Sequence, residues 1–264
     1  MKKSKNIGLL TAAALAGLVA MACNWYSAEF VHPPLYEIDG NFTFIPETGV
    51  ITGLSPVGLA AVAGGMTTLN IPSTIGEDNV PVTGIENYAF FFSEDENDPG
   101  LLTGVTLPNG ITFIGDYAFA NNRLQSPLTI PNSVQQIGEG AFARNQLTSI
   151  NLPTNNPNFT VIADVSFAFN NLNSISIPSS VTSIGEGAFD SNSLSSVSIP
   201  ATVNSIGDNA FYENDLNEVI FHGSPTIGDF AFGDLDTEDI IYVLEDESDR
   251  PITFFRDGNT WDWN

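Results

Sequence analysis

L-S-S-V-S-I-P-A-T-V-N-S-I-G-D-N-A-F-Y-E-N-D, Leu194 to Asp215, is the clearest copy of a phrase that returns every 22 to 23 residues through the middle of the chain. A period of this length denotes stacked coils of one supersecondary unit, because such a unit cannot bury its apolar side alone and must lay it on a neighbour. The Phe of the A-F step fixes the register. It falls at Phe119, Phe142, Phe167, Phe189, Phe211 and Phe232, at spacings of 23, 25, 22, 22 and 21, and a distorted earlier copy carries Ala89 and Phe90. Each copy opens with a strand phrase, L-x-x-V-x-I-P in outline: Met66 to Pro72, Leu102 to Pro108, Leu124 to Pro131, Leu147 to Pro153, Leu172 to Pro178, Leu194 to Pro200 and Leu216 to His222. The two-residue alternation of V-x-I turns one side of each strand inward. Pro ends the strand, having no N–H for a ladder. A second short apolar pair follows, such as Val181 and Ile184, and then Gly at 115, 138, 185, 207 and 228, where the chain is expected to turn. A single helical turn bearing A-F is expected to close each coil.

An Asn stands three residues after the Phe in five copies, at Asn122, Asn145, Asn170, Asn192 and Asn214, each followed two residues later by Leu. Stacked, these make a structural Asn ladder that satisfies buried backbone groups at the coil corner. The N-x-L step also belongs to the leucine-rich-repeat pattern.

The phrase resembles the BspA-like leucine-rich repeats of bacterial surface proteins, whose core I-P-x-x-V-x-x-I-G-x-x-A-F stands here as I-P-S-S-V-T-S-I-G-E-G-A-F, Ile177 to Phe189. Ile71 to Phe90 resembles the longer first repeat that often opens such arrays. The chain differs from the family in carrying Asn where members commonly carry Cys, Ser166 instead of Ala before Phe167, and His222 in place of the strand-ending Pro. The expected fold is a leucine-rich-repeat solenoid: short parallel strands with tight turns and single helical turns, about seven coils over residues 66–233, capped at both ends. What the resemblance implies for function is adhesion, since BspA-like proteins are associated with attachment to host matrix proteins and to other bacteria.

Residues 1–22 read as an export signal. Lys2, Lys3 and Lys5 open it, Ile7 to Val19 is apolar, and Ala20-Met21-Ala22 is a small-residue cleavage site. The next residue, Cys23, is the only Cys in the chain. Two readings stand: a lipoprotein acylated on Cys23 and held at the outer membrane or cell surface, or a soluble secreted protein with an incidental Cys. Acylation explains why an exported chain keeps one unpaired thiol. Residues 23–65 read as a stalk and N-terminal cap, with two strands in Asn41 to Gly53 around a Pro-Glu-Thr-Gly turn. Residues 234–264 read as a C-terminal cap, with a strand over Ile240 to Leu244 and aromatic mass from Phe254, Phe255, Trp261 and Trp263. A solenoid leaves open apolar ends that must be covered. Those aromatics also allow a sugar platform.

Every Lys lies in the signal segment, so beyond Cys23 the chain sets 4 Arg against 31 acids. This excludes a basic nucleic-acid footprint and direct electrostatic docking on anionic lipid, so membrane contact is expected only through a lipid at Cys23. One acid follows the turn in each repeat: Glu86, Asp116, Glu139, Asp164, Glu186, Asp208 and Asp229. The local account places each at the start of its own A-F turn, where exposed N–H groups favour a carboxylate; a row of cation sites is the alternative. Acid clusters at residues 94–98 and 234–249 have no EF-hand spacing. No metal or cofactor is expected, with weak calcium binding left open.

The middle position of V-x-I supplies the candidate partner-binding face: Thr106, Thr129, Asn151, Ser176, Ser198 and Ile220. This is a hydroxyl and amide surface for a protein or glycan partner at the cell surface, with no large aromatic or Arg anchor. Catalysis has little to work with. The two His, His32 and His222, stand apart, and the chain has no H-E-x-x-H, G-x-S-x-G or phosphate loop. No enzyme is expected, although paired carboxylates leave a glycan-active enzyme as a third reading. The leading function is an adhesin-type surface lipoprotein; the alternative is an envelope protein that shields the surface without a foreign ligand.

Overall fold

The computed structural model describes residues 37–92, 102–125 and 127–233, together with the backbone of strands Ile241–Leu244, Phe255–Asp257 and Thr260–Asp262. The signal segment, Cys23, His32, the 94–98 acid cluster, Phe254 and Trp263 lie outside the described residues.

Strands β1 (Glu37–Asp39), β2 (Phe42–Ile45) and β3 (Val50–Leu54) form an antiparallel meander. The turn between β2 and β3 closes with the Gly49 N–H on the Ile45 carbonyl at 2.8 Å, and Gly49 sits at φ 69°, a conformation that favours glycine. β3 then runs parallel to Gly84–Ile85 of the first coil, so the meander continues the solenoid's own sheet. The sequence reading had no helix in this region, yet α1 spans Pro56–Ala63. Its start is encoded locally: Ser55 is buried, accepts the Gly58 N–H at 3.1 Å, and is followed by a Pro at the first helical position.

Two rows of short parallel strands build the array. One row continues from Gly84–Ile85 through Phe113–Ile114 to Gln136–Ile137, then resumes as Val161–Ile162, Ser183–Ile184, Ser205–Ile206 and Thr226–Ile227. The other is made by the strand phrases. Thr68–Asn70 pairs with Gly104–Thr106, and Leu128–Thr129 with Ile150–Asn151. Ser196–Ile199 pairs with Glu218–Phe221, which in turn pairs with Ile241–Leu244. The phrase Leu172 to Pro178, expected as a strand, has no strand assignment. Strands Phe255–Asp257 and Thr260–Asp262 pair with each other, antiparallel.

Between the rows runs a ladder of buried rings. Phe90, Phe119, Phe142, Phe167, Phe189, Phe211 and Phe232 stack face to face, with centroids 5.1 Å apart at the first step and 5.9 Å at the widest. The A-F step therefore supplies the core's continuous axis, and each ring is buried only because the next coil covers it.

The expected helical turn at A-F is absent. The N–H groups of Tyr117, Phe119 and Asn121 donate outward to the carbonyls of Glu139, Ala141 and Ala143 in the following coil. Only the intervening Ala118 and Ala120 bond locally, to Gly115 and Tyr117. The same alternation recurs at Val165, Phe167 and Phe169 onto Glu186, Ala188 and Asp190. A helix would turn all these donors onto its own axis, whereas the stack uses every second one to tie coils together. The geometry is reached through left-handed residues before the Ala and two after the Phe, among them Tyr117 (φ 53°), Asn121 (φ 54°), Val165 (φ 45°) and Phe169 (φ 56°).

The glycines at 115, 138, 185, 207 and 228 do not mark a left-handed turn, since none of them has positive φ. They mark close approach. A Cβ on Gly138 would lie 2.6 Å from the Asp116 nitrogen, and one on Gly207 would lie 2.5 Å from the Glu186 nitrogen. The coils touch here backbone to backbone.

The 25-residue interval is a joint. The segment Thr154 to Asn158, three residues longer than its counterparts, is tied in by Asn156, a buried side chain that donates to the Val134 carbonyl at 2.8 Å and accepts the Asn158 N–H at 2.9 Å. Phe159 fills the core position held by Val134, Val181 and Val203 in neighbouring coils. Gln136–Ile137 and Val161–Ile162 belong to different sheets, and Ala163 occupies the glycine position at the point where that pairing is missing. Ser166 is fully buried with no hydrogen-bond partner for its hydroxyl among the described residues, where other coils have Ala118, Ala141, Ala188 and Ala210. Ser166→Ala is expected to stabilise the protein by about 1–3 kcal/mol, the cost of an unmade buried hydrogen bond. The check is a rise in denaturant midpoint with unchanged slope; a lower midpoint would show that the hydroxyl is satisfied.

Candidate partner-binding face

The strand-phrase row carries the candidate face. Thr106, Thr129, Asn151, Ser176 and Ser198 are all exposed, while Ile220 is half-buried and contributes less surface than its sequence position suggests. Strand register aligns these positions across coils: Asn70 lies opposite Thr106, Thr129 opposite Asn151, and Ser198 opposite Ile220. Asn151 donates to the Thr129 hydroxyl at 3.1 Å. Gln125, Asn173, Ser174, Ser195, Ser196 and Asn217 widen the exposed polar strip.

At one end this strip departs from its own pattern. Ser198 Oγ lies 2.9 Å from His222 Nε2, beside a shallow open depression that also takes in Ile175, Ser176, Pro200 and Ala201. The sequence places His222 at a repeat corner, apart from the other His, and not on the binding face. The available signal was the break in the repeat, since the same position holds Pro108, Pro131, Pro153, Pro178 and Pro200 elsewhere.

The Asn positions sit at a different corner. Asn145 Nδ2 donates to the carbonyls of Phe119 in the preceding coil at 2.9 Å, Phe142 at 3.1 Å and Ala143 at 3.2 Å. Its Oδ1 accepts the Leu124 N–H at 3.0 Å. Asn170, Asn192 and Asn214 repeat the set, with Leu147, Leu172 and Leu194 as donors. Asn122 makes the three carbonyl contacts, but its buried Oδ1 has no partner among the described residues.

The acid row needs two corrections. Glu86 does not belong to it: Asn87 aligns with Asp116, and Glu86 takes the glycine position, where burial raises its carboxyl. Nor do the aspartates cap their own turns. Asp116, Asp164 and Asp208 accept the backbone N–H of the next coil's acid, at Glu139 (2.9 Å), Glu186 (2.9 Å) and Asp229 (2.8 Å). Asn87 does the same for Asp116 at 2.8 Å. Each such bond sets a carboxylate on a backbone dipole, which offsets part of the repulsion along the row. The Tyr117 hydroxyl donates to Glu139, and burial, reinforced by that bond, raises the phenol well above its usual range. Among the described residues no group of His, Cys, Asp or Glu is placed to hold a metal ion, and no helix is long and apolar enough to cross a membrane.

Parallel coils with a Phe axis, an N-x-L corner and a polar strand face define a leucine-rich-repeat protein. Residues 66–160 match the BspA type leucine rich repeat region, in six copies. Solved structures similar to it include a leucine rich cell surface protein from Faecalibacterium prausnitzii, 21% identical over 81% of this chain and 79% of that one, with a TM-score of 0.44. The pneumococcal vaccine antigen PcpA is 17% identical over 77% of this chain and 69% of that one (TM-score 0.48). A T. pallidum leucine rich repeat protein is 22% identical over 74% and 82% (TM-score 0.46). No curated protein matches the chain.

Proposed function

We propose that the protein is a bacterial cell-surface leucine-rich-repeat protein of adhesin type, exported by residues 1–22, lipid-anchored at Cys23, and non-catalytic, which docks a protein or glycan partner along its strand face. The observation that carries this reading is the exposed row Thr106, Thr129, Asn151, Ser176 and Ser198, a charge-free strip on a chain of net charge −24. Apart from Glu218, half-buried opposite Ser196, the strands of this strip carry no acid, which leaves hydroxyls and amides for many weak hydrogen bonds, and the strong net charge elsewhere suppresses non-specific association. Covering both ends of the solenoid is the role suggested for residues 23–65 and 234–264, because an open end would expose the Phe axis.

The test is a screen of the mature protein on arrayed matrix proteins and neutral glycans, with and without calcium. Saturable binding is expected, falling at least about tenfold in the double variant Ser176→Arg, Ser198→Arg, which places charge and bulk on the strip without touching the core. Binding to no arrayed partner would move the weight to an envelope role in which the acidic surface itself is the function. Anchoring is read separately. The mature N-terminal peptide is expected to carry acyl mass on Cys23, and Cys23→Ser is expected to release the protein to the medium.

A further inference from the structure

Where the strand face breaks its own pattern, at coils 172–178, 194–200 and 216–222, it also becomes concave. The depression there has a volume of about 420 Å3 and is lined by Ile175, Ser176, Ser198, Pro200, Ala201 and His222. It is open to solvent, so it can seat one face of a small ligand without enclosing it. Its construction is specific. Gly223 lets the corner close on the preceding coil, since a Cβ there would lie 2.9 Å from the Ala201 Cα and 3.0 Å from its carbonyl oxygen. The His222 N–H donates to the Ile199 carbonyl at 2.9 Å, a bond that the Pro of the other coils has no proton to make. The imidazole is thereby fixed over the strand with Nε2 at 2.9 Å from Ser198 Oγ.

We infer that this depression is a binding site for a neutral sugar ring, seated on Pro200 and Ile175 and read by the Ser198–His222 pair and by Ser176. The inference rests on the docking reading of the strand face and names its anchor. Three features select the ligand class. Among the described residues the lining holds no carboxylate, guanidinium or ammonium, so no fixed charge there selects a charged group. The chain's net charge of −24 disfavours anionic glycans by repulsion. A serine hydroxyl and an imidazole nitrogen in hydrogen-bond contact each combine donor and acceptor capacity, which is the pairing that adjacent sugar hydroxyls require, and the Pro and Ile side chains match the apolar C–H face of a pyranose.

The experiment is NMR of the whole mature protein, following the ring signals of His222, assigned with His222→Ala, while His32 serves as the internal reference. Cellobiose, maltose and lactose are the neutral probes and 3′-sialyllactose the charged comparison. The expected result is a saturable shift of the His222 signals with at least one neutral disaccharide, a dissociation constant on the order of millimolar, and no shift at His32. Binding is expected to weaken at least about tenfold in Ser198→Ala, read on the His222 signals, and in His222→Ala, read by saturation transfer to the sugar protons, and to persist in Thr106→Arg, with circular dichroism confirming the fold of each. Absence of a His222 shift with all four sugars overturns the inference, as does a shift that survives Ser198→Ala unchanged or is largest with sialyllactose. The docking reading fails separately: a partner found on the array whose binding is lost in Thr106→Arg but kept in His222→Ala sustains the face and excludes this anchor.

Discussion

Phe167→Ala is expected to split the unfolding of this protein into two transitions. Removing a fully buried Phe costs about 3–5 kcal/mol, from lost burial and the cavity left behind. In a stack where each coil touches only its neighbours, that loss falls on one interface and not on the whole molecule. Phe167 sits at the joint, where one of the two strand rows is broken. Its stack on Phe142 is the widest in the ladder, at 5.9 Å, and the strand row is interrupted between Gln136–Ile137 and Val161–Ile162. What remains across the joint is the pairing of Leu128–Thr129 with Ile150–Asn151, the side-chain bonds of Asn156 and Asn170 to the Val134 and Phe142 carbonyls, and the turn wall, where the N–H groups of Gly140, Phe142 and Arg144 donate to Asp164, Ser166 and Ala168 at 3.0, 2.9 and 2.9 Å. Phe211→Ala, with the strand row continuous through Ser205–Ile206, is expected to lower stability without separating the halves. Hydrogen exchange along a denaturant series distinguishes the two: residues before the joint and those after it part company in Phe167→Ala and not in Phe211→Ala. A single cooperative transition in both variants would show that these remaining contacts couple the coils without the ring.

The sequence carries the period, the register and the inward face of this array because each depends on residue types that recur. Phe119 to Phe232 mark the axis, and V-x-I marks the side of the strand. What it carries poorly is the contact between coils. Glycine at 138 and 207 reads as a turn signal in one dimension, whereas its cause is the neighbouring backbone at 2.6 and 2.5 Å, which no local pattern encodes. The A-F step reads as a helical turn because its residues have fair helix propensity. The outward hydrogen bonds that replace the helix exist only once a second coil is present. Asp116 reads as a cap for its own turn and instead accepts an N–H from 23 residues further on. Among face residues the polar row was legible from alternation, and Ile220 was overestimated because its half-burial depends on the pairing around it. The Ser198–His222 contact spans 24 residues and was marked in the sequence only by a missing Pro.

Asn170→Asp is expected to destabilise the protein more than Asn170→Ala, and to do so in a pH-dependent way. Asn170 is buried, and its amide group shares its protons among the carbonyls of Phe142 (3.0 Å), Phe167 (3.2 Å) and Ala168 (3.3 Å), while its oxygen accepts the Leu147 N–H at 3.1 Å. Truncation to Ala abandons these groups, each worth about 1–3 kcal/mol if left unsatisfied. The acid keeps the acceptor for Leu147 but loses the donor, and its ionised form turns a negative charge on three carbonyl oxygens away from water. Burial and those dipoles both raise the carboxyl's folded pKa above its unfolded value. A group raised in this way gives its full stability below the unfolded pKa and loses it as pH rises through the folded one. The Asp variant is therefore expected to be most stable in acid and to weaken toward neutrality, while Asn170→Ala shows no such added slope. Denaturant midpoints of wild type and both variants across the acid-to-neutral range read the difference directly. An Asp variant that tracks Asn170→Ala at every pH would mean that the corner opens to water when the amide is lost, and that the Asn column acts by filling space more than by its hydrogen bonds.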